Sequence, residues 1–216
     1  MRLLDLFCGA GGAAMGYHRA GFDEIIGVDI KLQKNYPFTF VLGDALEYLR
    51  EHGHEFDFIH ASPPCQAFSQ MRYANHDKGQ NHPDLVAPVR ELLIKTGVPW
   101  VIENVPGAPL INPVVLCGLA FGLRVLRHRL FESSFFFLAP PHVTHPKQEK
   151  VRGKVAPGYL DTLKFIGFTT GSSMKAFRDA MECQWMTPNE GRQAIPPAYT
   201  EYIGGQILAL IQEPTP

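Results

Sequence analysis

The sequence predicts an α/β fold: a doubly wound, mostly parallel sheet carrying a small basic lobe. Three observations predict it. Short apolar strands alternate with amphipathic helices through the first half of the chain, a glycine-rich turn follows the first strand, and positive charge gathers late in the sequence. Leu3 to Phe7 reads as the first strand, Gly9 to Gly12 as a tight loop, and Ala13 to Ala20 as a helix stopped by Gly21. Glu24 to Val28 is a second strand ending in Asp29. Phe38 to Leu42 is a third, ending at Gly43-Asp44, with a helix from Ala45 to His52 behind it. Phe56 to His60 makes a fourth strand, Leu85 to Thr96 a helix, and Trp100 to Ile102 a fifth strand running into Glu103-Asn104. Val125 to Leu138 is strand-like, Ala139 to Ser173 is irregular, and helices return at Lys175 to Met181 and Thr200 to Ile211.

The 216 residues suffice for one domain with a sizeable core. Hydrophobic residues make up 45% and charged residues 19%, ordinary for a soluble protein, and no apolar run is long enough to span a bilayer. The start, Met1-Arg2-Leu3-Leu4, leads straight into strand-like sequence without the pattern of a secretory signal, so a cytoplasmic location without membrane attachment is expected. Cys8, Cys65, Cys117 and Cys183 lie far apart, with no Cys-x-x-Cys pair and no Cys/His spacing typical of zinc. Free thiols and no metal are therefore expected, and a monomer.

Net charge is −1, but between Ala120 and Arg178 ten Lys and Arg face three acids, a local +7 balanced by −8 elsewhere. Such asymmetry suits a basic face laid over a more acidic body. A merely solvated surface run would show the same asymmetry.

Pro63-Pro64-Cys65-Gln66 closes the apolar run Phe56 to Ala61. Two prolines stiffen the backbone ahead of a thiol at a strand end, a placement suited to a nucleophile at a pocket edge. A cysteine beside a strand equally suits a small buried hydrophobe. The polar stretch from Gln66 to Pro83 has no clear period, and its position directly after Cys65 suits a lid. Near the start, Asp5-Leu6-Phe7-Cys8-Gly9-Ala10-Gly11-Gly12 gives strand, turn and helix start, where glycines let a ligand approach the backbone. Asp29 and Asp44 stand at successive strand ends, where acids meet ribose hydroxyls and an adenine amino group. Either also suits a helix cap or turn.

These segments, with Glu103-Asn104-Val105 and Arg127-His128-Arg129 following in order, resemble the successive motifs of the DNA cytosine-5 methyltransferases. Leu116-Cys117-Gly118, Phe121-Gly122-Leu123 and Gln193 to Ala198 resemble further family segments, so the likeness covers roughly residues 1 to 138 and 185 to 211. It implies a Rossmann-like class I methyltransferase fold, with residues 1–138 and 176–216 as catalytic domain and 139–175 as a shortened target-recognition lobe. It implies S-adenosyl-L-methionine as cofactor and DNA as partner. By the resemblance Cys65 is the nucleophile, Glu103 a protonated carboxyl group at the base, and Arg129 a guanidinium supported by Arg127. Asp5, Phe7, Cys8, Gly9, Gly11, Gly12, Asp29, Ile30, Asp44, Ala45 and Pro63 are the implied cofactor-binding set. A cytosine stacked in a duplex cannot reach a thiol, so base flipping is expected. An RNA cytosine-5 methyltransferase acting on transfer RNA, or a catalytically silent DNA-binding relative, shares the same motifs.

The chain departs from the family at Val125, where glutamine is usual, and in the shortness of Ala139 to Ser173. Lys147, Lys150, Arg152 and Lys154 there suit phosphate contacts, and His142, His145 and Tyr159 suit base contact or stacking, so a short or relaxed target sequence is expected. Small forms of this kind resemble those carried by bacteriophages, hence a bacterial or phage-infected cell as the setting.

Overall fold

A computed structural model of the chain describes residues 1–64, 84–142, 144–145, 150–151, 154–155 and 174–212. Cys65 and the expected lid from Gln66 to Pro83 lie outside the described residues, as does most of the expected lobe.

Seven strands form one sheet: β1 (Arg2–Leu6), β2 (Glu24–Asp29), β3 (Thr39–Leu42), β4 (Phe58–Ala61), β5 (Trp100–Asn104), β6 (Val114–Leu116) and β7 (Arg129–Ser133). Their order is β3-β2-β1-β4-β5-β7-β6. The first five pair in parallel, and β7 lies antiparallel to both β5 and β6. Six strands thus share one direction and β7 alone opposes it, so the amino end of β7 meets the carboxyl ends of its neighbours.

Alternation along the central strands explains the helices on both faces. Leu3, Phe58 and Val101 join one buried cluster, and Leu4, Leu6, Ile59, Ala61 and Ile102 join the other. Since successive side chains point to opposite faces, strands with buried apolar residues on both faces need cover on each side. Helix α1 (Gly12–Ala20) and helix α6 (Pro197–Gln212) contribute Tyr17, Tyr199, Ile203 and Ile207 to the first cluster. Helix α2 (Ala45–His52) and helix α3 (Val86–Thr96) contribute Leu49, Val89 and Leu93 to the second. Each fully buried Leu stabilises the fold by about 1.5–3 kcal/mol.

The α1–α6 contact is close because glycine permits it. A Cβ at Gly16 would collide with the Pro197 carbonyl oxygen and Thr200 Oγ1, and one at Gly204 would lie 2.7 Å from the Ala20 Cβ. Thr200 Oγ1 donates to the Ala13 carbonyl at 2.8 Å, tying the helices together. On the other side of the sheet, Arg90 of α3 grips Glu132 of β7 with two hydrogen bonds of 2.6 and 2.7 Å. Glu132 also accepts the Ile111 amide, so one buried carboxylate joins helix, strand and loop.

The structure adjusts several expected elements. The first strand stops at Leu6, because Phe7 takes a left-handed backbone at φ 57°. Glu103 and Asn104 belong to β5 rather than following it. Within the expected strand from Val125 to Leu138 only Arg129–Ser133 pairs. The last helix begins at Pro197, whose missing N–H costs nothing in a first turn. Strand β6 and helix α5 (Pro188–Gln193) were not expected. The latter starts on a capping box between Thr187 and Glu190, and helix α4 (Met174–Met181) precedes it.

Candidate active site

The carboxyl edge of the sheet collects most of the residues expected to act. From β4 the chain passes through Ser62 to Pro63, which is buried. Asn104, at the end of adjacent β5, donates from Nδ2 to the Pro63 carbonyl at 3.0 Å, while its Oδ1 accepts the Val105 amide at 2.8 Å. The Asn104 amide group thus fixes the backbone two residues before Cys65. Cys65 itself lies outside the described residues.

Glu103 precedes Asn104 and is 7% exposed. Burial raises its carboxyl pKa, against the opposing pull of Arg129, a hydrogen bond with Ser62 and the more distant Arg127. Arg129 Nε sits 3.0 Å from Glu103 Oε1. The antiparallel course of β7 makes this pairing available, because Arg129 is its first residue. Arg129 Nη1 also donates to the His128 carbonyl at 2.8 Å. Arg127, 3% exposed, is bound to the C-terminal segment: its Nη2 donates to the Arg192 carbonyl at 2.7 Å, and the Tyr199 hydroxyl donates to the Arg127 carbonyl. Burial first, then repulsion from Arg129, depresses its guanidinium to about 9. The two arginines therefore differ in placement, Arg129 at the Glu103 carboxylate and Arg127 at the Arg192 carbonyl. Val125 is buried against Gly118, so the position where glutamine is usual serves the core here.

Behind Glu103 runs a polar chain that no local motif of the sequence marks. The Tyr17 hydroxyl lies 3.0 Å from His60 Nδ1, and His60 Nε2 lies 2.9 Å from Ser62 Oγ. Desolvation pushes His60 down to about 3, so it stays neutral. The available signal was a histidine inside the apolar strand Phe58-Ile59-His60-Ala61.

The second half of the edge surrounds the glycine turn. Gly11, at φ 81°, caps α1 in a left-handed conformation that β-carbon-bearing residues rarely adopt, and its missing Cβ leaves space taken by Pro37 and Tyr36. Asp29 Oδ2 accepts the Gly9 amide at 3.1 Å and Oδ1 accepts the Lys31 amide at 2.9 Å. Each oxygen keeps a second lone pair for another donor. Asp5 is fully buried: Oδ2 accepts from the Tyr36 hydroxyl at 3.3 Å and Oδ1 has no hydrogen-bond partner among the described residues. Burial, with repulsion from Asp29 and against the Tyr36 hydrogen bond, pushes its pKa up to about 8. Tyr36 is a second residue the sequence did not signal. Its ring fills the space over Gly27 of β2.

Cys8 is buried, its amide donates to the Val28 carbonyl, and its thiol pKa is raised by burial and the nearby carboxylates, which leaves it inert. Asp44 caps α2, its Oδ1 accepting the Leu46 and Glu47 amides at 2.8 and 3.0 Å. That is the capping role the sequence also allowed. Ala45 is buried beneath it. Ile30 is 70% exposed immediately after β2, with Leu32 and Leu42 each 60% exposed nearby in sequence or across the β2–β3 pairing. Phe7 is half-buried and Gly12 packs beneath the Ile195 carbonyl.

An orphaned buried carboxylate oxygen, two mutually repelling acids, an open face at Gly9 and an exposed apolar rim suit a cationic donor with a flat ring, as S-adenosyl-L-methionine is. The C-terminal segment braces this turn. Trp185 Nε1 donates to the Ala10 carbonyl at 2.9 Å, and Asn35 Nδ2 donates to both Glu190 carboxylate oxygens.

The sheet order and the reversed β7 are those of a methyltransferase of the Rossmann-like class I. A solved methyltransferase of Entamoeba histolytica, EhMeth, shares the fold with a TM-score of 0.58 at 11% identity, covering 99% of each chain. The family model for C-5 cytosine-specific DNA methylase matches residues 1–110, half of the chain, and the chain belongs to that family. A methyl donor follows from the family and fold. The Type II methyltransferase M.FnuDI of Fusobacterium nucleatum is 31% identical over 116 residues, 50% of this chain and 33% of that protein. The Type II methyltransferase M.AquIA of a Picosynechococcus species is 34% identical over 127 residues, 49% of each. The chain thus spans between a third and a half of these curated relatives. Among the described residues no helix is long and apolar enough to cross a membrane.

Proposed function

We propose that the protein transfers a methyl group from S-adenosyl-L-methionine to carbon 5 of cytosine in DNA, with Cys65 as nucleophile and the base turned out of the duplex. The observation that carries this reading is the buried Glu103–Arg129 pair on the strand whose next residue, Asn104, holds the Pro63 carbonyl. A carboxyl group whose proton affinity is raised by burial donates its proton toward ring nitrogen 3 as charge builds there, and a guanidinium beside it meets the ring carbonyl. Negative charge then has a destination when the Cys65 thiolate bonds to carbon 6.

When bound, S-adenosyl-L-methionine supplies an electrophilic methyl sulfonium for carbon 5. The residues expected to hold it are Asp5, Phe7, Cys8, Gly9, Gly11 and Gly12 at the turn, Asp29 and Ile30 after β2, Asp44 and Ala45 after β3, and Pro63 at the far side. Within that set Asp29 and Ile30 are the best placed, for a ribose and an adenine, and Cys8 serves through the shape of its backbone. The cycle closes when the carbon-5 proton passes to water and the carbon–sulfur bond to Cys65 breaks. Residues 139–175 form the lobe that selects the target, and its basic side chains contact phosphates.

DNA containing 5-fluorocytosine tests the mechanism, because fluorine cannot leave as a proton and the adduct persists. A covalent complex is expected with the native chain and none with Cys65→Ala. Methyl incorporation into transfer RNA but not duplex DNA would transfer the same chemistry to RNA. Undiminished turnover of Cys65→Ala would overturn the assignment of the nucleophile.

A further inference from the structure

Four metal-binding side chains, dispersed in sequence as Cys-x10-His-x13-His-x2-His, meet at the outer edge of the sheet. Cys117 follows β6 and His128 precedes β7, so the pairing of Leu116 with Arg129 makes them cross-strand neighbours one step beyond the ladder. His142 and His145 come from the segment after Leu138. That segment is tied back by Gln206, which accepts from the Leu138 amide at 2.9 Å and donates to its carbonyl at 3.2 Å. One potential ligand atom from each of the four residues lies within 4.8 Å of the others. Cys117 Sγ is 3.2 Å from His145 Nε2, and His128 Nε2 is 3.0 Å from His142 Nε2.

We propose that Cys117, His128, His142 and His145 bind one zinc(II) ion in a closed, structural site. Tetrahedral zinc with Zn–N near 2.1 Å and Zn–S near 2.3 Å places its ligand atoms roughly 3.3–3.6 Å apart. The two measured separations sit close to that edge length before any adjustment to an ion. The donor set, one thiolate and three imidazoles, suits zinc rather than calcium or magnesium, which take oxygen. Binding is balanced by loss of the Cys117 thiol proton to solvent, while each histidine binds through a ring nitrogen lone pair and keeps its other ring proton. Four protein ligands leave no open position for substrate, so the ion would fasten chain segments rather than act on a base.

What it fastens is specific. His128 stands between Arg127 and Arg129, and its carbonyl accepts from Arg129. Cys117 belongs to the sheet edge, and His142 and His145 to the entry of the 139–175 segment. The ion would anchor that segment beside Arg129 and leave a net positive charge there. This inference rests on the ligand geometry and is independent of the proposed reaction. It runs opposite to the expectation drawn from spacing, because no two of the ligands except His142 and His145 are close in sequence.

The test uses the full chain purified without a histidine tag and without chelator. One zinc per chain by elemental mass spectrometry is expected. Replacement by cobalt(II) should give the visible bands of a tetrahedral ion and a thiolate-to-metal charge-transfer band in the near ultraviolet. Cys117→Ser should lose the charge-transfer band. His142→Ala with His145→Ala, one side chain exposed and the other partly so, should bring zinc content to background while circular dichroism still reports a folded sheet. That pair decides the matter even if Cys117→Ser does not fold. Zinc content at background in the native chain after loading with zinc, an octahedral cobalt spectrum, or zinc content unchanged in the double histidine variant would each overturn the proposal.

Discussion

Asn104 Nδ2 donates to the Pro63 carbonyl across the β4–β5 edge, and through that bond one side chain controls where the backbone leaves the sheet on its way to Cys65. The bond is buried, so it has no water competing for it.

Asn104→Ala is therefore expected to lower the rate of methyl transfer while leaving S-adenosylhomocysteine affinity unchanged. The lost buried hydrogen bonds should cost about 1–3 kcal/mol of stability. Single-turnover kinetics and calorimetric titration separate the two effects, and equal losses in both would assign Asn104 to general folding.

Glu103→Gln removes the acid while keeping shape. Turnover should fall by about 10²-fold or more, in the range that a positioned proton donor contributes. Arg129 then loses its partner, and its substitution by Ala should lower turnover without affecting cofactor binding. A pH–rate profile measured on Glu103→Gln should lose the alkaline limb that the raised carboxyl pKa gives the native chain.

Asp5 makes stability depend on pH in a defined direction. Folded, its carboxyl holds a proton up to about 8, whereas the free carboxyl releases it near 3.8. The folded chain binds the extra proton between those values, so this contribution is greatest at the acid end and is lost as pH rises from about 4 to about 8. His60 has the opposite sign: its folded value of about 3 lies below the ordinary 6.5, so its contribution is lost as pH falls through that interval. The difference between native and Asp5→Asn melting temperatures isolates the first term. Asn should gain on the native chain as pH rises toward 8.

Gly16→Ala places a methyl group against the Pro197 carbonyl and Thr200. Overpacking of this kind costs about 1–3 kcal/mol, and urea unfolding at constant slope should show it. The same substitution at Gly205, where an added Cβ would meet none of the described residues within 4 Å, should leave the fold intact and instead add helix propensity of about 1 kcal/mol.

Breaking the Arg90–Glu132 clamp should be the most damaging surface-to-core change. Arg90→Ala leaves the Glu132 carboxylate buried with, among the described residues, only the Ile111 amide to satisfy it, a loss of about 3–5 kcal/mol. Thermal unfolding measures it, and Arg90→Ala with Glu132→Gln should recover part of the loss.

Much of the architecture was legible because central strands buried on both faces read as largely apolar runs, and glycine marks where α1 must begin. Glu103, Arg127 and Arg129 were legible as residue types, and the sheet brings Glu103 and Arg129 into contact. Less legible was whatever depends on distant chain segments. Nothing local says that Tyr36 reaches Asp5, that His60 links Tyr17 to Ser62, or that His145 meets Cys117. Phe7 gave no hint of its left-handed backbone, since an aromatic after an apolar strand usually prolongs it. The Thr187-Pro188-Asn189-Glu190 capping box was present in the sequence, but a helix of six residues leaves too short a period to notice.

The bracing of the glycine turn by Trp185 and Thr200 sets an order of events during synthesis. The first strand and its turn leave the ribosome early, yet the Ala10 and Ala13 carbonyls find their partners only after residues 185 to 200 have emerged. A nascent chain stopped short of that point would hold its glycine turn without its outer wall, and the finished shape of that turn would arrive late and all at once.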